Sequence, residues 1–147
     1  MAPSYWGEAP GVNPMSDSRD DLEAAYRATD YRVDDAPGGP FVIRIGERCD
    51  RLADVDWAFV TACNPRSQQL SDEENARRMT ELETVVGGRW LFYPGHGAGR
   101  DGRWPPEPSL LIVGIVESDA VELARRFGQN AIVAGRAGEA TRLVWTG

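Results

Sequence analysis

A turn and helix at residues 61–78, with the sequence TACNPRSQQLSDEENARR, carry polar side chains suited to holding a small ligand. Amides and hydroxyls orient a ligand through hydrogen bonds, and a guanidinium pairs with a carboxylate or phosphate through a planar fork. The free amides of a helix N-terminus also favour an anion or an oxyanion, although the acidic run 72–74 at this end offsets that attraction. We therefore predict a site for a small polar or anionic ligand, with these ligand-binding residues: Thr61, Asn64, Ser67, Asn75 and Arg78.

The position of Asn75 within its helix supports this prediction. Projecting the apolar stripe of Leu82 and Val86 back by helical spacing places Asn75 on the inward face of the first turn. A buried amide without a partner costs about 1–3 kcal/mol, so we expect Asn64 and Ser67 to be its partners. A purely structural alternative stays open, because Asn-Pro commonly starts a turn and an Asn side chain can simply tie that turn down.

Two further candidates lie outside this segment. Glu107 stands between prolines in PPEP, just before an apolar strand, so its carboxylate is held on a stiff backbone and could serve as a catalytic general acid or base. Gln129 and Asn130 lie between a helix stop and a strand, where adjacent amides could orient a ligand or satisfy the last helix carbonyls. We predict Gln129 as a further ligand-binding residue.

A weaker hypothesis is a nucleophilic Cys63 working with His96 and an acidic residue. Cys63 follows an apolar strand, as some nucleophiles do, but a small buried cysteine is the usual case. The chain has two cysteines and one histidine, which gives no zinc-ligand spacing. We predict no metal site and no cofactor.

The elements that must position these side chains follow from periodicity. We predict an N-terminal helix at about residues 19–29, a strand at 41–45 and a buried strand at 57–62. A helix that Ser71 caps should then run to about Val86 and stop at Gly87-Gly88. A strand at 89–93 follows, then a glycine- and proline-rich loop at 94–108. The last predicted elements are a strand at 109–115, a helix capped by Ser118, and two strands at 130–135 and 141–145.

From residue 57 to residue 134 the predicted order is β-α-β-β-α-β. That is the order of a ferredoxin-like core, in which two split β-α-β units place their helices on one sheet face. We predict an α+β fold with this core, extra flanking strands and an N-terminal helix. Residues 1–18 are predicted to be a flexible tail, and residues 19–147 a single domain.

The composition limits the classes of partner. A net charge of −7 argues against a nucleic-acid binder, which needs a basic face. All 16 basic residues are arginine, so no lysine is available for a Schiff base or a P-loop. No apolar run approaches the roughly 18 residues of a membrane span, and the N-terminus does not resemble a signal peptide. We expect a cytoplasmic protein without membrane or nucleic-acid partners; its oligomeric state is unknown.

The run WAFVTACNPRSQQLSDEENARRMTEL resembles the signature of a bacterial family, domain of unknown function 3293. Its pattern is T-A-x-N-P-x-S followed by N-x-x-R, and the later blocks W-x-x-E-x-S and FGQ are similar too. The resemblance covers about residues 26–144 and implies a small bacterial domain with no assigned activity. It implies that polar groups of all three blocks act together: Asn64, Ser67, Asn75, Arg78, Glu107 and Gln129. An aromatic residue is usual where Cys63 stands, which weakens the nucleophile hypothesis.

Two hypotheses of different class follow. The first is a pocket for a small polar or anionic ligand, with Glu107 as the acid or base of a hydrolysis or transfer reaction. It requires Glu107 to lie near Asn64 and Asn75. The second is a non-catalytic interaction or regulatory module, anchored by exposed aromatic residues such as Trp6, Trp104 and Trp145. A nucleic-acid interface would need several arginines on one face: Arg66, Arg77, Arg100 and Arg103.

Overall fold

The computed structural model describes residues 19–102 and 105–147. The predicted tail at 1–18 lies outside the described residues, as do Arg103 and Trp104. No helix of the described part is both long enough and apolar enough to cross a membrane. Helices and strands follow one another in this order: α1 (Arg19–Arg27), β1 (Thr29–Val33), β2 (Phe41–Ile43), β3 (Trp57–Val60), α2 (Asp72–Gly87), β4 (Leu91–Gly99), β5 (Glu107–Val113), α3 (Glu117–Arg126), β6 (Ala131–Gly135) and β7 (Arg142–Trp145).

The strands form one sheet with the order β2-β1-β4-β5-β3-β6-β7, and every neighbouring pair is antiparallel. All four residues of β3 are buried, as expected for a continuously apolar strand inside a sheet. The predicted α+β class is confirmed by this mixture of helices and strands. The finer assignment to a ferredoxin-like topology stays a prediction.

Each face of the sheet has its own hydrophobic core. Ala58 and Val60 of β3 pack on one face with the apolar sides of α2 and α3, including Leu82 of α2. Because side chains alternate along a strand, Trp57 and Phe59 point to the opposite face, where α1 packs. The ends of the central strands β3 and β5 are thereby held between helices on both sides.

Two predicted boundaries were wrong. The N-terminal helix ends at Arg27 rather than near residue 29, and β1 follows at once, with Arg32 exposed between the buried Tyr31 and Val33. The predicted loop at 94–108 is largely β4 and the start of β5. Gly95, Gly97 and Gly99 belong to β4, and a Cβ on Gly95 would lie 2.3 Å from the carbonyl oxygen of Arg32.

The helix starts differ in how well they were predicted. Ser71 caps α2 by accepting a hydrogen bond from the Glu74 amide at 3.2 Å, as predicted. The predicted cap at Ser118 was wrong, because α3 begins at Glu117 and Val116 occupies its N-cap position. The correct start of α2 matters more for function, since it fixes where Asn75 and Arg78 emerge.

Candidate functional site

The turn that follows β3 has an unusual backbone. Asn64, Arg66 and Ser67 have φ values of 47°, 54° and 61°, in the left-handed region. That region costs an L-residue other than glycine roughly 1–2 kcal/mol, least for Asn. Hydrogen bonds hold the turn in place, from the Arg66 amide to the Gly128 carbonyl at 2.7 Å and from the Ser67 amide to the Asn64 carbonyl at 3.1 Å. Left-handed non-glycine residues cluster at functional sites, where the surrounding fold supports the strain.

Asn64 is the centre of a hydrogen-bond network. Its backbone amide donates to Asn75 Oδ1 at 2.9 Å, and Asn75 Nδ2 donates back to Asn64 Oδ1 at 2.9 Å. The Leu70 amide donates to the same Oδ1 at 2.9 Å. Asn64 Nδ2 donates to Glu107 Oε2 at 3.1 Å. The network therefore joins the turn, the first turn of α2 and the start of β5, which brings together three of the predicted site residues.

Glu107 is the first residue of β5 and is only 7% exposed. One carboxyl oxygen accepts the hydrogen bond from Asn64, while Oε1 is buried and has no hydrogen-bond partner among the described residues. Burial raises the pKa of Glu107 from 4.5 to about 7, although the hydrogen bond from Asn64 acts in the opposite direction. A carboxyl group with this pKa can both donate and accept a proton near neutral pH.

A cleft of about 570 Å³ opens beside this network and is called the Glu107 cleft below. Its polar lining comes from the network, and its apolar lining comes from α2 and from the segment before β5. A few precisely placed polar groups within an apolar wall are typical of small-molecule sites. The lining residues that matter for its chemistry are Asn64, Leu70, Asn75, Met79, Pro106 and Glu107.

Thr61 and Arg78 do not line the Glu107 cleft but make hydrogen bonds within the fold next to it. The Thr61 hydroxyl donates to the Pro108 carbonyl at 2.6 Å and accepts from the Cys63 amide at 3.0 Å. Arg78 Nε donates to the Ala62 carbonyl at 2.6 Å, and its Nη2 donates to the Phe127 carbonyl at 2.5 Å. The Arg78 guanidinium thus ties α2 to the strand end and to the end of α3, so the structure engages it within the fold.

Gln129 and Ser67 lie on the far side of the turn. Gln129 Nε2 donates to the Cys63 carbonyl at 3.0 Å and to the Phe127 carbonyl at 3.3 Å. Ser67 Oγ accepts from Asn130 Nδ2 at 3.0 Å. The expectation that Ser67 would be a partner of Asn75 was wrong, because the left-handed turn directs its hydroxyl towards Asn130 instead.

Cys63 and His96 engage different partners. The Cys63 thiol lies 3.8 Å from the Pro108 carbonyl, and burial raises its pKa to about 11, which keeps it neutral. His96 Nδ1 lies 2.7 Å from a carboxylate oxygen of Asp34. These contacts give no support to a Cys63–His96 pair. The described residues also contain no group of three or more His, Cys, Asp or Glu side chains arranged to hold a metal ion.

Two residues near the site were not assigned to it from the sequence. Met79 Sδ accepts a hydrogen bond from the Ala62 amide at 3.4 Å and lines the Glu107 cleft. Tyr26 is fully buried, and its hydroxyl has no partner among the described residues. Burial raises the pKa of Tyr26, and the Tyr31 and Glu107 side chains add to the rise. The position of Tyr26 near Glu107 leaves no local signal in the sequence, because the two residues lie about 80 positions apart.

Comparison with known proteins adds one family match. A family model described as "Protein of unknown function (DUF3293)" matches residues 60–132. This span runs from the last residue of β3 to the start of β6 and contains the Glu107–Asn64–Asn75 network, together with every predicted site residue. No curated protein and no solved structure matches the chain.

Proposed function

The chain belongs to the DUF3293 family, whose description states no activity, and on the geometry of its own residues we propose a function for the Glu107 cleft. The cleft binds a small polar ligand, and Glu107 exchanges a proton with that ligand as a general acid or base. The observation that carries the proposal is the unpaired, buried Oε1 of Glu107 beside a cleft of about 570 Å³. A buried polar atom without a partner costs about 1–3 kcal/mol, which a ligand would recover.

The chemistry of the cleft selects a ligand with a hydrogen-bond donor. Glu107 Oε1 can accept from a hydroxyl, an amine or an amide of the ligand. Asn64 Oδ1 already accepts two hydrogen bonds, so Asn64 acts by positioning the carboxyl group. Leu70 and Met79 supply an apolar wall for the carbon skeleton, and Asp72 at the rim disfavours an anionic group here. The ligand of this cleft is therefore a neutral or cationic donor with an apolar part.

The reaction class that fits these groups is hydrolysis or transfer. With a pKa of about 7, Glu107 is present in both protonation states at neutral pH. It can remove a proton from an attacking hydroxyl and return one to a leaving group, and such catalysis typically contributes 10²–10⁴-fold. Asn64 donates to Oε2 at 3.1 Å, so Oε1 is the carboxyl oxygen that has no partner among the described residues.

A thermal-shift screen tests the proposal. Nucleosides, sugars, amino-acid derivatives and sugar phosphates are applied to the native protein, to Glu107→Gln and to Asn75→Ala. Glu83→Gln, an exposed change on α2, is the matched control. We expect a donor-bearing ligand to raise the Tm of the native protein and of Glu83→Gln, but not of Glu107→Gln. A ligand that stabilises all four proteins equally binds elsewhere and contradicts the proposal.

The same screen separates the proposal from an interaction module. The Asn64 side chain makes three hydrogen bonds, all to other residues of the chain. This is what we expect if the network only fixes the turn. However, the exposed large apolar residues Val42, Leu91 and Val116 lie on different elements. Trp145, one of the predicted anchors, packs edge-on against Tyr26, with 5.9 Å between the two ring centres. If no compound in the screen stabilises the protein, the interaction module becomes the better explanation.

The remaining expectations belong to the same proposal. A cytoplasmic protein without a nucleic-acid partner agrees with the net charge of −7. The ferredoxin-like assignment agrees with helices α2 and α3 packing on one sheet face. In such a unit the end of β3 and the start of β5 lie side by side, which is the arrangement that the Glu107 cleft uses.

A further inference from the structure

We propose that a second cleft, on the opposite side of the 64–67 turn, binds the phosphate or carboxylate group of a small anionic ligand. This cleft has a volume of about 450 Å³ and is called the arginine cleft below. Arginine residues from three separate parts of the chain line it, together with an asparagine and a tryptophan. Its principal lining residues are Arg19, Arg66, Arg125, Asn130 and Trp145.

Arg66 is the central residue of the arginine cleft. Its backbone is left-handed, with φ 54° and ψ 31°, and its amide is fixed by the Gly128 carbonyl at 2.7 Å. The strained backbone therefore anchors the residue on the side of the protein where α3 ends. Its side chain is exposed and makes no hydrogen bond or ion pair with any described residue. The left-handed backbone at Arg66 costs roughly 1–2 kcal/mol. Because such strain is usually kept at functional positions, we infer a role for the Arg66 guanidinium.

The other two arginines are already oriented. Arg125 Nε donates to the Thr146 carbonyl at 2.5 Å, which leaves its terminal nitrogens for a ligand. The Arg19 guanidinium lies over the Trp145 ring, 4.2 Å from the ring centre. An anion that contacts preorganised side chains loses less of its binding energy to ordering them. Two or three guanidinium forks suit the planar or tetrahedral oxygens of carboxylate and phosphate.

Negative charge also lies near the cleft, whose lining includes Gly147, the last residue of the sequence. α1 carries Asp20 and Asp21 in its first turn, and α3 ends nearby with the negative end of its dipole. The last carbonyls of α3 are occupied, however, by the Gly128 amide at 3.1 Å and the Gln129 amide at 2.9 Å. In a protein with a net charge of −7, three arginines in the wall of one pocket are a local concentration of positive charge.

The two clefts thus divide the chemistry first predicted for a single site. The Glu107 cleft accepts a hydrogen-bond donor, and the arginine cleft accepts an anion. The 64–67 turn contributes Asn64 to one cleft and Arg66 to the other. The arginine cleft does not depend on the proposed acid–base role of Glu107, so either proposal can fail without the other.

Calorimetric titration with small anions tests the arginine cleft. The probes are inorganic phosphate, pyrophosphate and citrate, each at an ionic strength held constant with chloride, so that the phosphate and carboxylate sources are distinguished. We expect at least one probe to bind the native protein, and Arg66→Gln to weaken that binding about tenfold. Arg77→Gln on α2, which lines neither cleft, should leave the affinity unchanged.

A second variant separates charge from backbone strain. Arg66→Gly removes the guanidinium and also relieves the left-handed strain, because glycine adopts positive φ freely. We expect a Tm at or above that of the native protein together with loss of anion binding. The proposal is overturned if no probe binds, if Arg66→Gln and Arg66→Gly keep full affinity, or if Arg77→Gln weakens binding to the same extent.

Discussion

One carboxyl oxygen of Glu107 accepts a hydrogen bond, and the other has no partner among the described residues. Asn64 donates to Oε2, and no described residue donates to Oε1. The native protein therefore bears a cost at Glu107 whenever that carboxyl is ionised, and this cost gives the stability a pH dependence.

The stability of the native protein should fall as pH rises through the window from 4.5 to 7. The folded-state pKa of Glu107 lies at about 7 and its ordinary value at 4.5, so the folded protein holds more protons than the unfolded chain in that window. The loss at Glu107 is on the order of 3 kcal/mol once the pH exceeds 7. Glu107→Gln cannot ionise, and urea unfolding of both proteins at pH 5 and pH 8 measures the difference.

Comparing the stability difference between the two proteins at pH 5 with that at pH 8 cancels any cost of the substitution that does not depend on pH. A poorly paired glutamine amide at position 107 would be such a cost. We expect Glu107→Gln to gain stability relative to the native protein between pH 5 and pH 8. Glu83→Gln, exposed on α2, controls for general charge effects. If the native protein and Glu107→Gln keep the same difference at both pH values, the carboxyl is not buried as described.

At the scale of elements, the site depends on one junction. The end of β3, the first turns of α2 and the end of α3 meet at Arg78, whose guanidinium spans the Ala62 and Phe127 carbonyls. Gly128 completes the junction with φ 70°, and a Cβ there would lie 2.8 Å from Pro65 Cβ. The 64–67 turn adjoins this junction and lines both clefts, the Glu107 cleft through Asn64 and the arginine cleft through Arg66.

Arg78→Ala should destabilise the protein by about 2–4 kcal/mol, because two charge-assisted hydrogen bonds are lost and two carbonyls lose a donor. Arg78→Lys should recover only part of the loss, since an ammonium cannot reproduce the planar fork. Arg77 is exposed, so Arg77→Ala should change the free energy of unfolding by less than about 0.5 kcal/mol. Urea unfolding of the three variants provides the measurement, and an Arg78→Ala loss as small as that of Arg77→Ala would contradict the junction.

Strong local signals made some elements predictable. β3 is continuously apolar, and α2 has both a capping serine and a glycine stop, so their positions follow from the sequence. The strand character of residues 94–99 does not, because glycines usually mark loops. There the ladder hydrogen bonds from β1 and β5 outweigh the local preference.

The same distinction holds for the candidate site. Helical spacing placed Asn75 facing the turn, and its predicted pairing with Asn64 is present. The left-handed backbone of Arg66 left no sequence signal, since that conformation in an arginine is imposed by contacts such as the one from its amide to Gly128. The arginine cleft also needs residues that are more than 100 positions apart, such as Arg19 and Trp145, which no local pattern brings together.

At the scale of the whole molecule, the sheet couples two hydrophobic cores. Leu82 packs on the face with α2 and α3, while Phe59 packs on the face with α1. Both cores are built on the same central strands, so loss of either face removes support from the other. The described part of the chain should therefore unfold as one unit.

Leu82→Ala and Phe59→Ala should each cost about 2–5 kcal/mol through cavity formation. Each variant should keep a single transition, with tryptophan fluorescence and far-UV circular dichroism giving the same midpoint. Because the two residues lie on opposite faces, the double variant should be additive within about 0.5 kcal/mol. Separate midpoints for the two probes would mean that the faces unfold independently.

The sheet ends in short strands, and this has a consequence for self-association. β2 has only three residues, and β7 has four. A sheet edge recruits another chain through its row of unpaired amides and carbonyls, and a row this short offers few of them. Because the two outermost strands are short, they offer little template for edge-to-edge association with another chain. This protects a wide antiparallel sheet from amyloid-like assembly and does not require a charged or proline-blocked edge strand.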